Sequence, residues 1–178
     1  LILFEAQSIE EIVWSVTKHA MAKLNYYDCV IYLFDEEEGK LIQHAAFGPK
    51  NPQKEEIKNP IKLSPGEGIV GEVFASGKCE YVNDTSKDAR YVVDDERRYS
   101  EITVPLTHNG EVVGVIDSEH PEKNFFNDHD FDLFQKNYLY NLFYNMPNQI
   151  FNFNEVRNNS SLTPAIPFLP IIPVLGGF

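Results

Sequence analysis

The run YSEITVPLTHNGEVVGVIDSEH, Tyr99–His120, sets two β-branched apolar stretches on either side of Asn109-Gly110. An Asn-Gly between such stretches is a strong short-range hairpin signal. Both strands end in acid, with Glu101 at one outer end and Asp117 and Glu119 at the other. A hairpin that had only to fold would more comfortably carry Lys, Ser or Thr there. The turn decides which way the acids face. A two-residue Asn109-Gly110 loop pairs His108 with Glu111 and leaves Glu101 and Asp117 on opposite faces. A three-residue His108-Asn109-Gly110 loop, with Gly110 in a left-handed bulge, pairs Thr107 with Glu111 and sets Glu101 directly across from Asp117. The second register also sorts the other residues. Ile102, Val104, Leu106, Val112 and Ile116 share a face suited to a helix layer, while Glu101, Thr103, Val113, Val115, Asp117 and Glu119 share one suited to a pocket floor. A slip of one residue loses this sorting, so the three-residue loop is the expected one. Like charges across a sheet repel. The register therefore calls for a cation between the acids: Arg90, Arg97 or Arg98 folded over them, or the amine of a ligand.

Outward from the hairpin, SIEEIVWSVTKHAMAKL reads as a helix capped by Ser8, with Ile9, Ile12, Val13, Val16, Ala20 and Leu24 on one stripe. CVIYLFD and KLIQHAAFG read as antiparallel strands about an EEEG turn, and the proline-bearing run that follows as a surface loop. SPGEGIVGEVFASGK reads as a short helix ended by Gly77, EYVND as a strand, and TSKDARYVVDDERR as an irregular polar segment. NDHDFDLFQKNYLYNLFYNM reads as a closing helix capped by Asn127. This order predicts an α+β fold, a largely antiparallel sheet with its terminal helices on one face.

Composition limits the functional classes. The chain of 178 residues is 43% hydrophobic and 13% aromatic, enough for one packed core. A formal net charge of -12 argues against nucleic acid and anionic membrane surfaces as partners. Cys29 and Cys79 form no CxxC pair and so no zinc site or disulfide framework, which fits a reducing, cytoplasmic setting. Leu1 in place of Met suggests an excised domain, and LILF is too short for a signal peptide or a membrane span. The domain is placed at residues 1–146. The Asn-rich and then Pro-rich stretch 147–178, with Pro164, Pro167, Pro170 and Pro173 at every third position, is read as a disordered tail outside it.

The ordered set Gly68–Gly71, Gly77, Val82–Asp84, Asp88–Tyr91, Ser100–Leu106, Gly114–Ile116 and Phe126–Asp130 resembles a GAF domain, over roughly Ser8 to Asn145. The resemblance implies a six-stranded antiparallel sheet with the terminal helices on one face and a small-molecule pocket on the other. It also implies a regulatory role upstream of a kinase, cyclase or transcriptional output domain. The expected reading is a cytoplasmic sensory domain of a bacterial signal-transduction protein such as the sensor histidine kinase of a two-component system. No cofactor is expected. Its pocket is expected to use Glu101, Thr103, Val115, Asp117, Glu119, Tyr91 and Val70 for an unidentified, amine-bearing small molecule. A homodimer through the terminal helices is expected, with Trp14 and His19 partly off the first stripe and able to meet a partner helix.

The acidic trio also resembles that of the free methionine-(R)-sulfoxide reductases, a catalytic GAF branch whose acids at these positions hold the substrate. The cysteine positions of that branch align with Val70 and Asp94, so the chain is expected not to be an enzyme and to have no catalytic residues. The cyclic-nucleotide-binding branch fits poorly, because Glu119-His120 stands in place of Asn-Lys and Phe131 in place of Glu. Gly66–Gly71 matches G-x-G-x-x-G but follows no convincing strand, so it reads as a tight turn into a helix and not as a dinucleotide site. His120, Asp128, His129 and Asp130 read as a loop and a helix start, and no metal is expected. A cavity no larger than a side chain would point instead to a structural dimerisation module.

Overall fold

The computed structural model describes residues 9–18, 26–51, 53 and 55–136. The Ser8 cap, the Ala20–Leu24 stretch, the closing helix beyond Lys136 and the stretch 147–178 lie outside the described residues, and so do the side chains of Ile9, Ile12 and Val16. Three helices are described: α1 (Ile9–Val16), α2 (Gly68–Ser76) and α3 (Asp128–Lys136). The six strands are β1 (Cys29–Asp35), β2 (Lys40–Phe47), β3 (Lys62–Leu63), β4 (Glu80–Val82), β5 (Ser100–His108) and β6 (Glu111–His120). They form one sheet in the order β3-β2-β1-β6-β5-β4, with every neighbouring pair antiparallel.

The sheet separates two cores. On one face Ile31, Leu33, Ile102, Val104, Leu106 and Ile116 pack with Val13 of α1 and Phe126, and Trp14 and Phe131 lie against them. On the other face Val30, Tyr32, Leu41, Leu63 and Val115 pack with Ile69, Val70 and Val73 of α2. Strand β1 contributes to both, so CVIYLFD is apolar nearly throughout instead of alternating. The local signals of the sequence are met at the helix ends. Gly77 ends α2 with φ +65° and its N–H bonded to the Val73 carbonyl. Asn127 opens α3 with a reciprocal cap: its Oδ1 accepts from His129 N–H at 2.8 Å, and its own N–H donates to Asp130 Oδ2 at 3.0 Å. Strand β3, only two residues long, has no strand-like run in the sequence around it.

The hairpin turn differs from the expected one. His108 pairs with Glu111, so the loop is the two-residue Asn109-Gly110, and both residues have positive φ, 52° and 84°. A bulge follows at once: Thr107 faces Val112, Leu106 faces Gly114, and Val113 is the extra residue. Beyond it Thr103 faces Asp117 and Glu101 faces Glu119. Glu101 and Asp117 therefore share a face, as the sorting requires, but they are diagonal neighbours and not directly opposed. The bulge also moves Val113 onto the helix-covered core, where the expected register had placed Val112. The physical reason is that Asn-Gly favours the tight two-residue turn, and one inserted residue restores the parity on which the strand ends depend.

Gly114 lies where β6 crosses β1. A Cβ there would stand 2.2 Å from the Tyr32 carbonyl oxygen and 3.0 Å from Leu33 Cδ2. Gly114→Ala is expected to cost about 1–3 kcal/mol through forced backbone movement, read as a lower urea midpoint at unchanged slope.

Candidate functional site

The acids at the strand ends lie on the face covered by α2. Glu101, Asp117 and Glu119 line a cavity whose other walls are Tyr32 of β1, Ile61 and Leu63 about β3, Gly68–Val70 of α2, and Val92 and Asp94 of the segment before β5. The cavity is closed down to about 20 Å³, room for about one water molecule. Glu101, Asp117 and Glu119 are all buried, at 3%, 6% and 7% exposure. Thr103 Oγ1 stands 2.9 Å from Asp117 Oδ1 and 3.1 Å from Glu101 Oε1, so the two carboxyl groups converge on one hydroxyl. The Tyr91 hydroxyl lies near the Glu119 carboxyl and interacts with it electrostatically. None of the ion pairs among the described residues reaches this trio.

The segment Tyr91–Tyr99 has no regular secondary structure and closes the cavity as a lid. It is anchored at two places. Asp94 accepts from the buried Lys50 ammonium and, at 2.6 Å, from Gln43 Nε2, while Lys50 also donates to the Asn59 carbonyl at 3.1 Å. Gln43 in turn donates to the Tyr32 hydroxyl at 2.8 Å and accepts the Ile61 N–H at 3.1 Å. At the other end Arg98, 2% exposed, sets its guanidinium 3.3 Å from Asp28 Oδ2 and 3.4 Å from Asp95. Its N–H donates to the Tyr91 hydroxyl at 2.9 Å and its carbonyl accepts from Thr85 Oγ1 at 2.5 Å. Arg98 Nε is buried without a hydrogen-bond partner. Asp28 ties this anchor to the floor: its Oδ1 accepts the Glu119 N–H at 2.7 Å, and its carbonyl accepts from Ser118 Oγ at 2.5 Å. Arg90, another of the arginines expected over the acids, pairs instead with Glu80 and Asp88.

Burial dominates the electrostatics. It holds the Asp117 and Glu119 carboxyls well above the usual carboxylate range, and the neighbouring acids push them further, Glu101 acting on Asp117 and Asp117 on Glu119. Glu101 is raised to about 8, by burial and then by the charge of Glu119. Asp28 is raised to about 7 by burial, against the hydrogen bond from Glu119 and the charge of Arg98.

Of the residues singled out in the sequence, Glu101, Asp117, Glu119 and Val70 line the cavity. Thr103 bridges two of the acids, Tyr91 lies near the third, and Val115 is buried in the core beside them. Lys50, Gln43, Tyr32 and Asp28 are additional members. Tyr32 was findable by two-residue alternation along β1, and Gln43 as a polar residue inside an apolar strand. Lys50 and Asp28 carry no sequence signal. Neither cysteine lines the cavity. Cys29 is buried in the helix-side core, where burial raises its thiol well above the ordinary value, and Cys79 packs against that same core. No three His, Cys, Asp or Glu side chains among the described residues are grouped to hold a metal ion, and no described helix is long and apolar enough to cross a membrane.

Two measurements test this electrostatic picture. The raised carboxyls keep their protons to higher pH in the folded chain than in the unfolded one. Their contribution to stability is complete below about pH 4 and is lost as pH rises through about 7 for Asp28 and about 8 for Glu101. Asp84 and Asp88, held below the usual range chiefly by hydrogen bonds from Ser86 and Arg90 respectively, act only in more acid solution. The ligand-free protein is therefore expected to be more stable near pH 5 than near pH 8.5, by at least about 1.4 kcal/mol, the equivalent of one pKa unit. Asp117→Asn should flatten that profile in urea denaturation. Lys50→Met leaves Asp94 buried without its cation and is expected to cost about 3 kcal/mol, with part of the loss recovered in the double variant that adds Asp94→Asn.

Comparison with known proteins matches this architecture. The GAF domain family model matches residues 6–136. Protein YtsP of Bacillus subtilis is 30% identical over 112 residues, 63% of this chain and 63% of YtsP, so the match spans less than two thirds of that relative. Free methionine-R-sulfoxide reductase from Neisseria meningitidis, solved in complex with its substrate, shares the fold with a TM-score of 0.69 at 17% identity, over 85% of this chain and 83% of that one. The GAF domain from Acinetobacter phosphoenolpyruvate-protein phosphotransferase does so with a TM-score of 0.68 at 20% identity, over 88% and 90%. The expectation that the chain is not an enzyme is corrected here: solved structures sharing its fold include a substrate-bound reductase, so the fold gives no ground for excluding catalysis. From the match over residues 6–136 and the six-stranded antiparallel sheet, the chain belongs to the GAF domain family.

Proposed function

We propose that this GAF domain is a small-molecule-sensing module of a cytoplasmic signal-transduction protein, such as a sensor histidine kinase, and that its ligand carries an ammonium group. The observation that carries this reading is the floor of the cavity, where Glu101, Asp117 and Glu119 are buried together with no cation of the described residues within ion-pairing distance. A cavity of about 20 Å³ is smaller than a side chain and by size alone fits a collapsed, purely structural module. A structural module gains nothing from three buried acids, however, since each ionised carboxyl costs several kcal/mol to desolvate. An ammonium ion offers three N–H donors, one for each acid. The reductase from Neisseria meningitidis that shares this fold was solved with its substrate, a methionine sulfoxide, which is an amino acid with such a group. We further propose that α1 and α3, which pack on the same sheet face, join the domain to its neighbours and to a second copy.

Isothermal titration of the full chain with L-methionine-R-sulfoxide and with n-butylamine tests the reading. Binding of the amine is expected, weakened at least about tenfold by Glu119→Gln, the equivalent of roughly 1.4 kcal/mol. Equal affinity for n-butanol and n-butylamine would remove the acids from the site. Following conversion of the sulfoxide to methionine with dithiothreitol in the same sample, with and without Cys79→Ser, reads whether that molecule is a ligand or a substrate.

A further inference from the structure

The reading of the cavity as an ammonium site leaves open what occupies the acids before the ligand arrives, and the next step rests on that reading. The Glu101 and Asp117 carboxyls, both buried, converge on the single hydroxyl of Thr103, at 3.1 and 2.9 Å. A hydroxyl has one hydrogen to give, and two carboxylates have none between them. Thr103 can therefore satisfy only one of the two buried carboxyl groups at a time, and with no ion pair to either among the described residues the other calls for a proton of its own.

The surroundings supply no substitute for that proton. From β6 comes Glu119, a third acid, and from the segment before β1 comes Asp28 behind it. From β1 the Tyr32 hydroxyl faces the trio, and from the lid the Tyr91 hydroxyl does so. Asp88, in the turn before the lid, adds its negative charge at Glu101. The buried cations are already engaged: Lys50 with Asp94, and Arg98 with Asp28, Asp95 and Glu96.

We propose that the free pocket is closed over a protonated acidic floor, and that an ammonium ligand displaces those protons, so that the site takes up a cation in exchange for at least one proton. A carboxylic acid on the floor gives its proton to the solvent. The resulting carboxylate accepts an N–H of the incoming ammonium, and no electrons are transferred. Occupancy then depends on pH as well as on ligand concentration. Affinity rises about tenfold per pH unit while one proton leaves, over a range in which an alkylamine, whose pKa resembles the roughly 10.4 of lysine, stays charged.

Calorimetric titration of the full chain with n-butylammonium chloride, between about pH 6 and pH 8 and in buffers of different ionisation enthalpy, counts the protons. The expected result is release of about one proton per amine bound, with the affinity rising as stated. Infrared spectra of the wild-type protein near neutral pH should show the C=O stretch of a protonated carboxyl. That band should be lost on saturation with the amine and be weaker in Asp117→Asn. The wild-type spectra stand alone if the variant does not fold. Amine binding with no proton release and no pH dependence overturns the exchange while leaving the ammonium reading intact, and so does a free protein without the band. A free protein that shows the band but binds no amine overturns the exchange together with the ammonium reading.

Discussion

Strand β6 lies between β1 and β5 with buried side chains on both of its faces, so the register of the β5–β6 hairpin has no harmless alternative. A slip of one residue would turn either Glu101 or the Asp117 and Glu119 end into the core beneath α1 and α3, and carry Ile102 or Ile116 into the cavity in exchange. That exchange places ionisable groups in a helix-packed apolar layer, where desolvation costs several kcal/mol for each ion. Two local demands compete over this register. Asn109-Gly110 favours a two-residue turn with positive φ at both residues, which by itself gives the wrong parity. The extra residue Val113 reconciles the turn with the strand ends.

With the parity fixed, the acids face a cavity, and the surrounding structure limits what their burial costs. Thr103 gives one hydrogen to the Glu101–Asp117 pair, and Asp28 takes the Glu119 N–H. None of these neutralises charge. The cations within the site are committed to the lid, Lys50 at Asp94 and Arg98 at Asp28 and Asp95. Arg98 Nε, with 98% of the residue out of solvent contact, is held 3.3 Å from Asp28 Oδ2 by charge and makes no well-directed hydrogen bond.

Much of this was legible in the sequence, and the remainder was not for identifiable reasons. The helix caps at Gly77 and Asn127 are local chemistry and could be read directly. The shared face of Glu101 and Asp117 was legible because side-chain alternation depends only on parity. The loop length was not, because a three-residue loop and a two-residue loop followed by a bulge give the same parity. Long-range pairs left no trace: Lys50 lies in a proline-bearing stretch and finds Asp94 across 44 positions of chain. Arg98 was recognised as a cation able to cover the acids. Its actual partner Asp28 lies 70 positions earlier, beside a tyrosine whose ring the guanidinium overlies at 5.2 Å.

That stretch, Tyr26-Tyr27-Asp28, joins the closing helix, the lid and the acidic floor. The Tyr26 hydroxyl donates to Asp130 of α3 at 3.1 Å. Tyr27 carries Arg98 of the lid on its ring, and Asp28 holds both Arg98 and the end of β6 at Glu119. Three consecutive residues thus touch the closing helix, the lid and the acidic floor in turn. Contiguity alone is not coupling, which requires an element with two arrangements whose balance both ends can bias. The lid is the segment whose displacement would alter these contacts together: moving it away from the cavity draws Arg98 from Asp28 and Tyr27, and Tyr91 from Glu119. A ligand too large for a cavity of about 20 Å³ displaces it on entry, and its apparent affinity is reduced by the fraction of molecules in which the lid is closed.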